Sequence, residues 1–80
     1  MYSDTDHAAR VDRDKNLLVV TALDGYARNH RISTYEAAQV FKKNDMFSLI
    51  RSQYDVLHTL ALDESVRFAE DVLARRNAVL

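Results

Sequence analysis

The stretch Met46-Phe-Ser-Leu-Ile-Arg-Ser-Gln-Tyr-Asp-Val-Leu-His-Thr-Leu60 returns apolar side chains at helical spacing and fills the remaining positions with polar ones. At about 100° per residue, Leu49, Val56, Leu60, Met46, Leu57, Ile50, Tyr54 and Phe47 fall in one arc of roughly 180°. Arg51, Asp55, Ser48, Thr59 and Ser52 take the other side. Such an arc exceeds the roughly 100° stripe that faces a single core, which predicts a central helix touching several neighbours.

The rest of the 80-residue chain is read around that helix as one domain. A chain of this length buries only about 60 to 65% of its unfolded surface, so a second copy or a partner would add stability. The content of 48% hydrophobic and 29% charged residues is that of a globular protein. No Pro and a single Gly leave little material for hairpins, and the expectation is an all-α fold, a small compact bundle of four helices over 16–28, 34–43, 46–60 and 64–76. Leu23, Val40, Phe41, Ile50, Leu57, Val66 and Leu73 are its expected centre.

Residues 1–15 carry alternating acids and bases and form a polar N-terminal arm or a helical extension, for which Ser3 or Asp4 offers a cap. The single domain is assigned to 16–80. In its first helix Leu18, Ala22, Tyr26, Val19, Leu23, Ala27 and Val20 cover roughly 200°, leaving Thr21, Asp24, Gly25 and Arg28 for water. A face so wide belongs either to a helix wedged between two others or to an exposed docking or dimer surface. Leu18, Val19, Ala22 and Tyr26, together with Gln53 of the central helix, are the candidate interface residues. Gly25, on the polar side, costs about 1 kcal/mol relative to Ala and at most eases a close approach.

Asn29, His30 and Arg31 supply a polar stop. Ser33 and Glu36 have the spacing of a capping box, which starts a helix at Thr34. Lys42, Lys43 and Asn44 end it, and Asp45 is expected to cap the central helix. Asp63 and Glu64 suit the start of the final helix, whose inward residues are Leu62, Val66, Phe68, Ala69, Val72 and Leu73.

Chemistry is sparse. Tyr54, Asp55 and His58 share one flank, where an acid–base set is conceivable but no nucleophile accompanies it; they are assigned to a structural turn, with His58 packing on Tyr54 or Phe47 and bonding Asp55 or a loop carbonyl. Asp55 and His58 are two ligands where a metal site needs three or four, so neither a metal nor another cofactor is expected. Gln53, inside the apolar arc, either satisfies backbone groups of its own turn or sits at an interface and sets register there.

The net charge of −1 supplies no field for phosphate backbones, and nucleic acid is not an expected partner. The competing reading is a helix-turn-helix regulator built on 34–43 and 46–57, but the recognition face offers only Arg51 as a base. The absence of Cys fits a reducing compartment. The longest apolar run, Leu17 to Val20, is far short of the about 20 residues of a membrane span, and no signal-peptide core follows Met1; the expected location is the cytoplasm.

At Tyr54-Asp55-Val56-Leu57-His58-Thr59 the chain resembles a small bacterial domain-of-unknown-function family in which a Tyr-Asp-x-Leu-His-Thr-like segment closes the third helix. The likeness continues through Leu17 to Ala27, Ile32-Ser33, Glu36-Ala37, Val40-Phe41-Lys42-Lys43 and Phe47 to Arg51 before that segment, and Leu62, Glu64, Val66 and Glu70-Asp71 after it. It departs at Phe68-Ala69 and Arg75-Arg76. Members of that family are short and are often encoded beside a protein similar to ADP-ribosyltransferase-type toxins. The resemblance therefore implies a non-enzymatic antitoxin or accessory protein, with a toxin encoded nearby as protein partner and a homodimer as the alternative assembly.

Overall fold

Between Asp4 and His30 the sequence contains no proline and one glycine, and it forms a single helix, α1 (Asp4–His30), of 27 residues. The computed structural model describes residues 4–76. The polar segment before Asn16 thus continues the helix from Asp4; the proposed Ser3 cap lies outside the described residues. At about 1.5 Å per residue α1 is roughly 40 Å long, and it sets the longest dimension of a molecule measuring 48 × 21 × 19 Å.

Four further helices follow among the described residues: α2 (Thr34–Lys43), α3 (Met46–Ser52), α4 (Tyr54–Leu57) and α5 (Asp63–Arg75). The fold is all-α, with five helices instead of the four expected. All of α2 to α5 pack on α1, most extensively α5, so α1 and not the 46–60 stretch is the organising helix.

Local chemistry explains each boundary. α1 ends in paired turn bonds, Arg31 N–H to the Arg28 carbonyl (3.3 Å) and Ile32 N–H to the Ala27 carbonyl (3.0 Å), around Arg31 at φ 55°. This is the bonding of a Schellman stop, which favours glycine at the left-handed position; an arginine there costs about 1 kcal/mol, against which Ile32 packs on the core. The capping box of α2 is formed: Glu36 N–H donates to Ser33 Oγ at 3.0 Å and Ser33 N–H to Glu36 Oε1 at 3.3 Å. Two expected caps are not. Asp45 adopts φ 57° to turn the chain and its carboxylate makes no cap bond, while the cap position of α5 is Leu62 and Asp63 lies in the first turn.

The largest departure is at Gln53, where the expected central helix breaks. Ser52 Oγ donates to the Leu49 carbonyl at 2.7 Å, and the Gln53 N–H is shared between the carbonyls of Leu49 (3.2 Å) and Ile50 (3.1 Å). A hydroxyl competing for a helix carbonyl loosens the i to i−4 ladder, and Gln53 settles at φ −96°, ψ 13°. α3 ends there, and α4 begins at Tyr54. Met46, Ile50 and Leu57 stay in the core, but Val56 is 58% and Leu60 48% exposed, outside the arc a straight helix would have buried. Leu62, expected to face inward, is 46% exposed as well.

The core joins Leu18, Val19, Ala22, Tyr26 and Ala27 of α1 to Ala37, Phe41, Met46, Ile50, Leu57, Ala69 and Leu73. Tyr26 meets Phe41 edge-on at 5.6 Å between centroids, and Phe41 meets Phe47 at 5.6 Å. Of the expected centre, Phe41, Ile50, Leu57 and Leu73 are buried and Leu23 and Val40 border them. Gly25, expected to face water, is buried instead. A Cβ built there would lie 2.5 Å from Val66 Cγ2 and 2.8 Å from Cγ1, so the missing side chain lets α5 approach α1.

Gly25→Ala should therefore destabilise by about 1 kcal/mol, because overpacking against a stiff β-branched neighbour outweighs the roughly 1 kcal/mol of helix propensity gained. In a Val66→Ala background the same change should be neutral or stabilising. Denaturant melts of the four variants in this cycle would show the reversal, and equal effects in both backgrounds would refute the steric account.

The phenol of Tyr26 is held above its ordinary range, first by burial and then by the nearby Glu70 carboxylate. A raised value means that the stability it contributes is full below about pH 10 and is lost as pH rises through the folded value, since the unfolded chain ionises first. Tyr26→Phe should flatten that alkaline loss in pH-dependent melts. An unchanged profile would place the phenolate cost elsewhere.

Candidate functional site

Two neighbouring surfaces share the side of the molecule where α4 and the α4–α5 connection meet α1. On the polar one, Tyr54 at the start of α4 stacks on His58, with centroids 4.5 Å apart and planes 12° apart. Helical spacing brings the rings together, and the hydrogen bond from His58 Nδ1 to the Tyr54 carbonyl, 2.7 Å, holds them there. A carbonyl only accepts, so Nδ1 carries a proton and donates it to this bond. Tyr54 in turn donates its hydroxyl to Asp14 Oδ2 at 3.2 Å, and the Lys15 ammonium lies 5.8 Å from its ring. Partial desolvation, then the bond to Asp14 and the charges of Asp14 and Asp55, hold the Tyr54 phenol above its ordinary range. Arg51 closes this cleft by donating to Asn16 Oδ1.

The expected turn is thus built from Tyr54 and His58, while Asp55 faces solvent beside them. Its carboxylate accepts no bond from His58, whose partner is the backbone. Among the described residues no three of His, Cys, Asp or Glu come together as metal ligands. Gln53 is half-buried at the helix break, where its N–H and its carbonyl, which accepts from Val56 and Leu57, are taken up by its own chain.

The second surface is apolar. Leu17, Leu60 and Leu62, each about half exposed, surround a groove floored by buried Leu18 and bounded by Asp14 and His58, a space of about 310 Å³. His58 is the wall between the groove and the polar cleft. Here the sequence expectation needs correction. Leu18, Val19, Ala22 and Tyr26 are 2%, 8%, 0% and 2% exposed, so these candidate interface residues form the core of the single chain. The apolar excess on α1 that does reach solvent is Leu17 and Val20, 49% and 59% exposed. The run Leu17 to Val20 contained this signal, since four successive apolar residues cannot all face one side of a helix.

A third cluster ties the far end of α1 to α5. Asn29 Nδ2 and His30 Nε2 reach the two oxygens of Glu70 at 3.1 and 2.7 Å, and His30 packs on Tyr26 with centroids 4.1 Å apart. It fixes the relative position of two helices, which is an architectural task. No described helix is long and apolar enough to cross a membrane.

His58→Gln should leave the fold intact, with a change in stability of no more than about 1 kcal/mol, because the ring is exposed and its bond is local. Nitrogen NMR of the wild-type imidazole, above its titration, should show Nδ1 protonated. The opposite tautomer would mean that the carbonyl bond does not persist in solution.

No curated protein and no solved structure matches the chain. A family described as "Protein of unknown function (DUF3791)" matches residues 18–76, the greater part of the five-helix fold from the buried half of α1 to the end of α5, and the chain belongs to that family.

Proposed function

We propose that this protein is a non-enzymatic interaction module acting in the bacterial cytoplasm, an antitoxin or accessory protein whose partner is the product of a neighbouring gene. The observation that carries the interaction reading is the groove of Leu17, Leu60 and Leu62, three large apolar side chains held about half exposed around one concave space. Covering each of them removes apolar surface from water at about 25 cal/mol per Å². Clustered exposed apolar side chains in a small domain mark contact surfaces more often than isolated ones do. The toxin half of the reading rests on the resemblance around Tyr54 to Thr59, which implies a partner similar to ADP-ribosyltransferase-type toxins.

Leu60 and Leu62 lie in the connection after α4, so they can be changed without opening the core. Leu60→Asp combined with Leu62→Asp should weaken capture of the neighbouring gene product by about tenfold or more, as loss of an apolar anchor does, while helical content is kept. Co-purification and calorimetric titration measure it. Undiminished binding by the variant would remove the groove from the contact. A wild-type protein that ignores the neighbour's product and instead shifts operator DNA in a strongly salt-dependent way would replace this reading with that of a regulator.

A further inference from the structure

We propose that the outer stripe of α1, Arg13, Leu17, Val20 and Asp24, pairs antiparallel with the same stripe of a second copy of the chain. This inference rests on the reading above that the exposed apolar surface serves a protein contact, and it names the partner for the α1 part of that surface.

At about 100° per residue the four positions lie within roughly 60° of one another, on the side of α1 turned away from Leu18 and Ala22. All four are exposed. Leu17 and Val20 are adjacent on that stripe, and their exposures of 49% and 59% leave the middle of a long helix apolar in water. The charges beside them are arranged about the same midpoint. Arg13 stands four residues before Leu17, and Asp24 stands four residues after Val20.

A two-fold axis between Leu17 and Val20 therefore sets Leu17 of one chain level with Val20 of the other, and brings Arg13 of each opposite Asp24 of its mate. A symmetric interface requires such self-complementarity, in which residue i meets j and j meets i. A parallel, in-register pair would instead oppose Arg13 to Arg13 and Asp24 to Asp24, which charge repulsion disfavours. Antiparallel packing also sets the two helix dipoles head to tail.

Two features of the surroundings fit this occupant. Asp24 already accepts from Arg28 at 2.8 Å in an exposed i, i+4 pair; such a surface pair is weak by itself, and Arg13 of the second copy turns it into a network of three charges at each end of the contact. On the flank, the groove with Leu60 and Leu62 begins at Leu17, so a helix seated on the stripe meets further apolar surface there.

The test is a charge exchange read by sedimentation and light scattering on the full chain. Wild type should sediment as a dimer. Arg13→Glu alone sets acids against acids and Asp24→Arg alone sets bases against bases, so each should weaken association by at least about tenfold with helical content unchanged. Mixed in equal amounts, the two variants should re-form a dimer, because the glutamate introduced at position 13 then faces the arginine introduced at position 24, and the native Asp24 and Arg13 face each other at the other end. A monomeric wild type, single variants that remain dimeric, or a mixture that stays monomeric would each overturn the proposal. A monomeric wild type that still captures the neighbouring gene product through Leu60 and Leu62 would overturn the dimer alone and leave the interaction module standing.

Discussion

The close approach of α1 and α5 is the constraint on which the rest of the structure depends. At Gly25 there is no room for even a Cβ, because the two γ carbons of Val66 occupy that space. Nearby, Ala22 and Ala69 are completely buried and Ser65 nearly so, turning its hydroxyl back to the Leu62 carbonyl at 2.6 Å instead of leaving it unpaired between the helices. Small side chains on both helices let their backbones come close, and close backbones let Leu18, Leu73 and Tyr26 be buried. The Glu70 contacts with Asn29 and His30 then lock the same pair at the end of α1. The helix-propensity cost of glycine is thus spent on packing.

The break at Gln53 determines which apolar side chains of this stretch reach solvent. A straight helix from Met46 to Leu60 would have taken Val56 and Leu60 inward. Because the ladder gives way at Ser52 and Gln53, only Leu57 of that half enters the core. Leu60 ends beside α1, where Leu17 is also exposed, and with Leu62 they make the groove. Past the break Tyr54 reaches Asp14, and from α3 Arg51 reaches Asn16, so the segment before the bundle proper is held against α3 and α4 by polar contacts. The apolar groove and the polar cleft thus both border the segment that follows the break, with His58 between them.

Features whose cause is local were legible in the sequence. The Ser33 to Glu36 capping box, the helical spacing of 34–43 and of α5, the polar stop after Asn29 and the stacking partner of His58 all follow from residues within four positions of one another. Features decided by competition or by distant neighbours were not. Nothing in Ser52-Gln53 marks a break by composition, since neither is a proline or a glycine. Asp45 has the chemistry of a cap, yet the turn from α2 into α3 needs a left-handed residue and Asp45 supplies it. Gly25 lies among polar residues on the wheel, and only the position of Val66, distant in sequence, reveals that it is buried.

The misassigned interface has the same origin. On α1 the apolar residues spread so widely that hydrophobicity alone does not choose which of them face inward: Leu17 and Val20 are as apolar as Leu18 and Val19 and lie about one position around the helix. Exchanging the two pairs takes a rotation of α1 by about 180°, which would also turn Arg13 and Asp24 inward. What fixes the rotation is steric and polar. Only the face carrying Ala22 and Gly25 admits α5 at the observed approach, and Asp14, Asn16, Asn29 and His30 find their partners on α3, α4 and α5 in that rotation. The small residues and the polar ties therefore decide that Leu18 and Val19 stabilise the chain itself, and by the same choice leave Leu17 and Val20 exposed. A partner bound on that outer stripe would stabilise the helix on which every other helix packs, so that folding and association are coupled through α1 by mass action.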